Sequence, residues 1–271
     1  MYSQFVPITH LTTGDRQAMF ALLHRHFDGV KPDVFEADLA QKNWSLLFRD
    51  THSDELKGFS TIRIYETKFQ GKPISVIYSG DTVMDPSAWS SPALARSWIS
   101  AVKHLRQHYP NGKFYWLLIS SGYRTYRFLP IFWRIFYPRY DSPTPPDMDA
   151  IMTFLARKQF GKLYHEVEGI VRFPNPHQLK GMLQGIPEER KSDPHIRFFE
   201  QKNPGHLWGD ELVCIAEICE QNLTRAGRRM WFETSSGSSQ SQPSADSQGS
   251  GAVDTASNSH TMVSPSHEVV V

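Results

Sequence analysis

Three short runs of this chain hold residue types that can exchange protons or grip charge. Ser79-Gly80-Asp81-Thr82-Val83 sets a carboxylate beside a glycine, just past a segment in which Ile74, Val76 and Tyr78 alternate with Ser75, Ile77 and Ser79. The alternation predicts a strand, and a glycine within a strand marks a bulge or a close backbone approach. A second run, Ser90-Ser91-Pro92, has the form of an N-cap and first turn. The third, Ser120-Ser121-Gly122-Tyr123-Arg124-Thr125-Tyr126-Arg127, offers two phenols three residues apart, near one face of a helix, and two guanidinium groups suited to phosphate. Each group also has a plain structural reading. Asp81 can cap or hydrogen-bond a loop, the tyrosines can pack, and the arginines can form a solvated face.

The elements around these runs follow from periodicity. Phe5 to Ile8 predicts a strand, and a helix follows with Thr13 or Asp15 near its start and Met19, Phe20, Leu23 and Phe27 on one face. A shorter helix covers Pro32 to Gln41. Trp44 to Arg49, Gly58 to Phe69 and the Ile74 strand form an antiparallel meander, joined by Thr51 to Glu55 and Gln70-Gly71-Lys72-Pro73. A helix from Pro92 to Tyr109 leads into a buried strand, Phe114 to Ile119, and a right-handed crossover makes that strand parallel to the Ile74 strand. A second helical pattern then runs to Phe136, kinked at Pro130. Beyond a proline-rich connector, a helix from Asp147 to Gln159 and a strand from Tyr164 to Phe173 are expected. The spacing of Leu212, Ala216, Cys219, Leu223, Ala226 and Met230 predicts one further helix opened by Asp210.

Composition narrows the classes of function. The chain has 271 residues, 39% hydrophobic content and a formal charge of +1, so nothing biases it towards polyanions, and no basic stripe with interleaved aromatics points to nucleic acid. No apolar stretch has the length of a membrane span, and no charged-then-apolar start reads as a signal peptide. Two cysteines five apart suit neither a disulfide framework nor a zinc site, so a reducing cytoplasm is the default. His165, Glu166 and Glu168 alternate on a predicted strand and do not share a face, and no metal site is assigned. Residues 234–271 are rich in Ser, Gly and Gln and read as a disordered tail.

The order strand, two helices, three meander strands, helix, strand, helix and strand resembles the GNAT superfamily of N-acyltransferases over roughly Phe5 to Phe173. With SGDT and ISSGYRTYRFLP, the chain is also similar to GNAT-like proteins of bacteria, notably cyanobacteria. The resemblance implies an α+β fold: a mixed, mostly antiparallel sheet with flanking helices over residues 1–173, a helical extension over 174–233 and the tail over 234–271. It implies transfer of an acyl group from a thioester, acyl-CoA or an acyl carrier protein, to an amine of a small molecule. In that chemistry Asp81 is the base, Gly80 permits a bulge that aims a backbone N–H at the thioester carbonyl, and Tyr123 or Tyr126 protonates the departing thiolate. Gly80, Thr82, Val83, Ser90, Ser91 and Gly122 become donor-binding positions. The family's pyrophosphate arm is a glycine-containing run at a helix start. The corresponding stretch, Asp85 to Ala93, has no glycine and carries a bulky Trp89. That departure gives a second expectation, a GNAT-fold module that binds a ligand or partner without catalysis.

Overall fold

A computed structural model describes residues 1–233 and 269–270. In chain order the strands are β1 (Tyr2–Pro7), β2 (Phe27–Asp28), β3 (Trp44–Arg49), β4 (Leu56–Phe69), β5 (Lys72–Met84), β6 (Lys113–Ser120), β7 (Tyr164–His165), β8 (Ile170–Val171), β9 (Gln178–Leu179), β10 (Glu211–Glu217) and β11 (Val269–Val270). The helices are α1 (Thr13–His26), α2 (Pro32–Leu39), α3 (Ala93–His108), α4 (Tyr123–Tyr126), α5 (Phe128–Phe132), α6 (Pro146–Phe160), α7 (Pro194–Lys202) and α8 (Arg225–Phe232). The main sheet runs β1-β3-β4-β5-β6-β10-β8-β7, with β11 paired to β5 off that path. Neighbours are antiparallel except β5–β6 and β5–β11. This is the α+β, mostly antiparallel architecture expected of a GNAT-like fold.

Local chemistry sets the element ends. Thr12 caps α1: its hydroxyl accepts from the Asp15 N–H, and the Asp15 carboxylate accepts from the Thr12 N–H, a reciprocal capping box. Proline opens α2 and α6, where its fixed φ suits the first turn. α3 buries Leu94, Trp98, Ile99, Val102 and Leu105 on one stripe, over the sheet face that also carries α4, α5 and α8. On the opposite face α6 covers Val76, Tyr78, Leu117 and Ile215, while α1 and α2 cover Leu47, Phe59 and Val83.

The crossover through α3 makes β5 and β6 parallel, as the sequence predicts, and their pairing covers only Ile74–Tyr78 against Lys113–Leu117. Beyond Tyr78 and Leu117 the two strands splay. The β4–β5 register shifts at the same place: Ser60 faces Thr82 and Ile62 faces Ser79, so Gly80 and Asp81 together oppose Thr61. That is the bulge expected at Gly80.

Elsewhere the sequence reading gives way. The helix expected from Asp210 is the strand β10, antiparallel to β6, with Leu212, Cys214 and Ala216 on the α3 face and Val213 and Ile215 on the α6 face. α8 begins only at Arg225, capped by Thr224, whose hydroxyl accepts from the Gly227 N–H. The stretch 174–233 is therefore not only a helical cover, since it supplies a strand to the main sheet. The strand expected over Tyr164 to Phe173 is a hairpin of two short pieces, β7 and β8, closed by hydrogen bonds from Glu168 and Gly169 to His165. The helical run to Phe136 is the two short helices α4 and α5. Of the tail expected to be disordered, residues 234–268 and 271 lie outside the described residues, and Val269–Val270 form β11.

The bulge leaves no room for a side chain at position 80. A Cβ there would sit 2.3 Å from the Lys42 Cε and 2.5 Å from the Thr61 Oγ1. Lys42 cannot easily retreat, because it is buried and paired with Asp38. Gly80→Ala is expected to lower unfolding free energy in urea by about 1–3 kcal/mol, and an unchanged midpoint would show that the bulge is slack.

Candidate functional site

The splay gives the molecule a V-shaped opening between the C-terminal halves of β5 and β6. Its root is closed by a cross-strand hydrogen bond, in which the Trp116 Nε1–H of β6 donates to the Ser79 Oγ of β5 at 2.9 Å. The Trp116 ring lies 4.4 Å from that of Trp98 on α3. Beside this pair, Ser79, Thr82, Leu94, Thr125 and Phe128 line a small apolar hollow. Thr82 is tied down by a 2.7 Å hydrogen bond between its hydroxyl and that of Ser60, while Val83 points into the core under α1 and α2. The edge of β5 that β6 abandons is taken at Thr82–Val83 by β11, in parallel pairing.

On the other face of the bulge lies a buried ion pair. The Lys42 Nζ donates to both carboxylate oxygens of Asp38, at 2.6 and 2.7 Å, and stands 5.6 Å from the centre of the Tyr78 ring. Burial lowers the Lys42 pKa and Asp38 partly restores it. Asp81 is 1% exposed, and its own carbonyl accepts from the Thr61 hydroxyl. Nothing in the sequence marks this pair, because an Asp and a Lys four residues apart are ordinary on a helix surface.

The loop after β5 spends four of its N–H groups on itself. The Ser87 N–H donates to the Asp85 carboxylate, the Ala88 N–H to the Asp85 carbonyl, the Trp89 N–H to the Pro86 carbonyl and the Ser91 N–H to the Ala88 carbonyl. The Ser91 hydroxyl accepts from the Ala93 N–H, ahead of α3, and Ser90 is exposed. Trp89 packs between two core clusters and donates its indole N–H to the Met84 carbonyl.

The two phenols part company. The Tyr126 hydroxyl donates to the Pro138 carbonyl at 2.8 Å within a ring of Phe136, Phe198 and Phe199, and burial drives its pKa far above the ordinary phenol value. Tyr126, one of the two proton donors that helical spacing offers, is packed in the core with its hydroxyl engaged. One turn of α4 followed by a break at Arg127 aims it at the core. Tyr123 is buried in the same core cluster, and with Gly122 it borders a shallow depression that Ser121, Arg124, His177 and His206 also line.

The structure therefore gathers the site residues into three groups. Gly80 and Asp81 form the bulge, Thr82 borders the apolar hollow, and Gly122 with Tyr123 borders the depression. Ser90 and Ser91 stand on the loop beyond β5, and Tyr123, Tyr126 and Val83 are all buried in the core clusters. His177 is the functional candidate that the sequence does not single out, since it lies in an irregular segment with no period. Among the described residues there is no group of three metal-ligating side chains, and no helix is long and apolar enough to cross a membrane.

No protein-family profile and no curated protein matches the chain. Solved structures similar to it include a probable N-acyltransferase from Enterococcus faecalis V583, at 15% identity and TM-score 0.38 over 50% of this chain and 33% of that one. A GNAT family N-acetyltransferase, YhbS, from Escherichia coli in complex with CoA matches at 13% identity and TM-score 0.34, over 46% of this chain and 67% of that one. NAA60 from Arabidopsis thaliana in complex with a bisubstrate analogue matches at 17% identity and TM-score 0.35, over 47% and 81%. Likenesses of this size carry no statement about substrate.

Burial lowers the His177 pKa to about 4. An imidazole held neutral in the folded state and free to take a proton when unfolded makes stability fall as pH drops through the window from its unfolded value of 6.5 to about 4. Between pH 7 and pH 5 this single group is expected to remove about 2 kcal/mol. His177→Gln should flatten the pH dependence of the melting temperature in that window. An equally steep profile for the variant would assign the loss to other groups.

Proposed function

We propose that the protein transfers an acyl group from a thioester, acyl-CoA or an acylated carrier protein, to the amine of a small molecule. The observation that carries this reading is the splayed parallel pair with its bulge. The edge of β5 is released by β6 where Gly80 and Asp81 disturb the ladder, which leaves backbone groups available to an extended ligand. That edge has the geometry to receive an extended chain, since β11 lies along it at Thr82–Val83. A pantetheine arm is such a chain, with amides at intervals, and the apolar hollow beside Trp98 and Trp116 offers its acyl end a dry wall.

In this reading the amine nitrogen attacks the thioester carbonyl carbon. A backbone N–H at the bulge receives the developing oxyanion, the amine proton passes to the Asp81 carboxylate, the C–S bond breaks, and the thiolate takes its proton from Tyr123. Gly80, Thr82 and Val83 supply the donor's strand edge, with Ser90, Ser91 and Gly122 at the mouth. The proposal includes a cytoplasmic setting, which rests on the two unpaired cysteines, Cys214 and Cys219. One observation favours the other reading, a GNAT-fold module that binds without catalysis: the N–H groups of Ser87, Ala88, Trp89, Ser91 and Ala93 are already paired within the loop.

Asp81→Asn keeps the shape of the side chain and removes its basicity. Turnover against a verified donor and acceptor should fall by about 10²-fold or more, with donor affinity and melting temperature nearly unchanged. Full activity in that variant would remove Asp81 from the chemistry, and calorimetry that finds no thioester donor bound would favour the ligand module. Because β11 and a donor claim the same edge, a chain ending at residue 233 should bind acyl-CoA more tightly than the full chain. Equal affinities would place the donor elsewhere.

A further inference from the structure

We propose that the depression at the end of β6 is a binding site for an oxyanion, a carboxylate or a phosphate, held by the guanidinium of Arg124. The inference goes beyond the acyl-transfer reading and stands whether or not the protein is catalytic.

Arg124 is held in place with no acid paired to it among the described residues. Its guanidinium carbon lies 4.7 Å from the centre of the Trp89 ring and 4.8 Å from that of Tyr123, so two aromatic groups fix the plane of the fork. Its hydrogen bond goes to a neutral acceptor, the Leu183 carbonyl at 3.4 Å. No carboxylate of the described residues pairs with it, although neighbouring Arg127 is paired with Asp193 and most partly buried arginines of this chain have an acid. A half-buried cation that forgoes an acid in a molecule rich in ion pairs keeps its bidentate face for something else.

The surroundings fit an anion and not a cation. No Asp or Glu lines the depression; its polar groups are the hydroxyl of Ser121, the amides of Gln178 and Gln184, and the imidazoles of His177 and His206, groups able to donate or accept. The segment that closes it is pinned. β9 pairs with β2, the Lys180 N–H donates to the His26 carbonyl, and the Lys180 Nζ donates to the His24 carbonyl. Arg124 also reaches across the splay, since Trp89 belongs to the loop after β5 and Tyr123 to the helix after β6. It stands next to the loop that pairs four of its own backbone N–H groups. A side chain thus supplies, at the mouth of the opening, the positive charge that this loop's backbone does not.

Two sources share this chemistry, the phosphates of a nucleotide-bearing donor and the carboxylate of an amino-acid acceptor. Isothermal titration of the full chain at low salt, with CoA and 3′,5′-ADP in one arm, glycine and glutamate in a second and spermidine in a third, separates them. The expected result is saturable binding in the first arm or the second, weakened about tenfold or more by Arg124→Gln and partly restored by Arg124→Lys, with no binding of spermidine. A response confined to the first arm assigns the anion to the donor, and one confined to the second assigns it to the acceptor. Absence of binding in both arms, equal affinity in Arg124→Gln, or binding of spermidine alone would overturn the proposal. Trp89→Leu serves as the control for folding: it removes one wall of the clamp and keeps the charge, so it should weaken the same ligand by less than Arg124→Gln does.

Discussion

Everything distinctive in this molecule depends on the close approach of Lys42 to the backbone of β5 at Gly80. The lysine and Asp38 form a buried pair, and taking two charges out of water is tolerated only when each finds the other with good geometry, here two contacts of 2.6 and 2.7 Å. The Lys42 side chain and the Thr61 hydroxyl occupy the volume that a side chain at position 80 would need. Glycine is therefore demanded by packing. The extra residue it allows in β5 shifts the register with β4 and bends the strand where pairing with β6 ends. The opening between β5 and β6 is the far end of a chain of causes that starts with an ion pair on the other face of the sheet.

The opening is also kept from collapsing. Strands released from pairing expose N–H and C=O groups, which favour reclosure or capture of another strand. Trp116 and Ser79 tie the root of the splay together at its last paired level, and Trp98, packed against Trp116 at a tilt, props α3 against it. β10 then satisfies the far edge of β6 along nearly all of it, Leu212–Glu217 against Tyr115–Ser120. With its outer edge paired and its inner edge parted, β6 is fixed in position while the cleft beside it remains available.

How far the sequence discloses this depends on what each signal measures. The meander, the crossover and the Gly80 bulge are local or nearly so: alternation, caps and a glycine inside a strand report on their own neighbourhood, and these agree with the structure. β10 misleads because a strand buried on both faces loses its alternation and becomes a continuous apolar run. In Glu211-Leu-Val-Cys-Ile-Ala-Glu217 every residue but the last is buried, and Leu212, Ala216, Cys219 and Leu223 happen to fall at helical intervals. The β-branched Val213 and Ile215 are the contrary signal. Tyr123 and Tyr126 show the limit of face arguments. Helical spacing presents them together, but a helix of four residues has scarcely a face, and the break at Arg127 leaves one phenol at the depression and the other on the Pro138 carbonyl. The Lys42–Asp38 pair is illegible for the opposite reason, since its spacing is common and its burial is decided by distant elements.

The loop after β5 joins these observations. A glycine-rich turn at a helix start binds phosphate because its N–H groups point outward with no other partner. Proline and serine replace glycine in Asp85 to Ala93, and the result is a tight turn that closes its own hydrogen bonds and buries Trp89 between two clusters. Such a loop is more rigid than a glycine arm and less able to hold an anion. Trp89 then presents an aromatic face on which a guanidinium can rest, and Arg124 rests there. The self-paired turn and the clamped arginine thus both follow from the bulk of Trp89, which packs against two clusters on one side and carries the guanidinium on its ring.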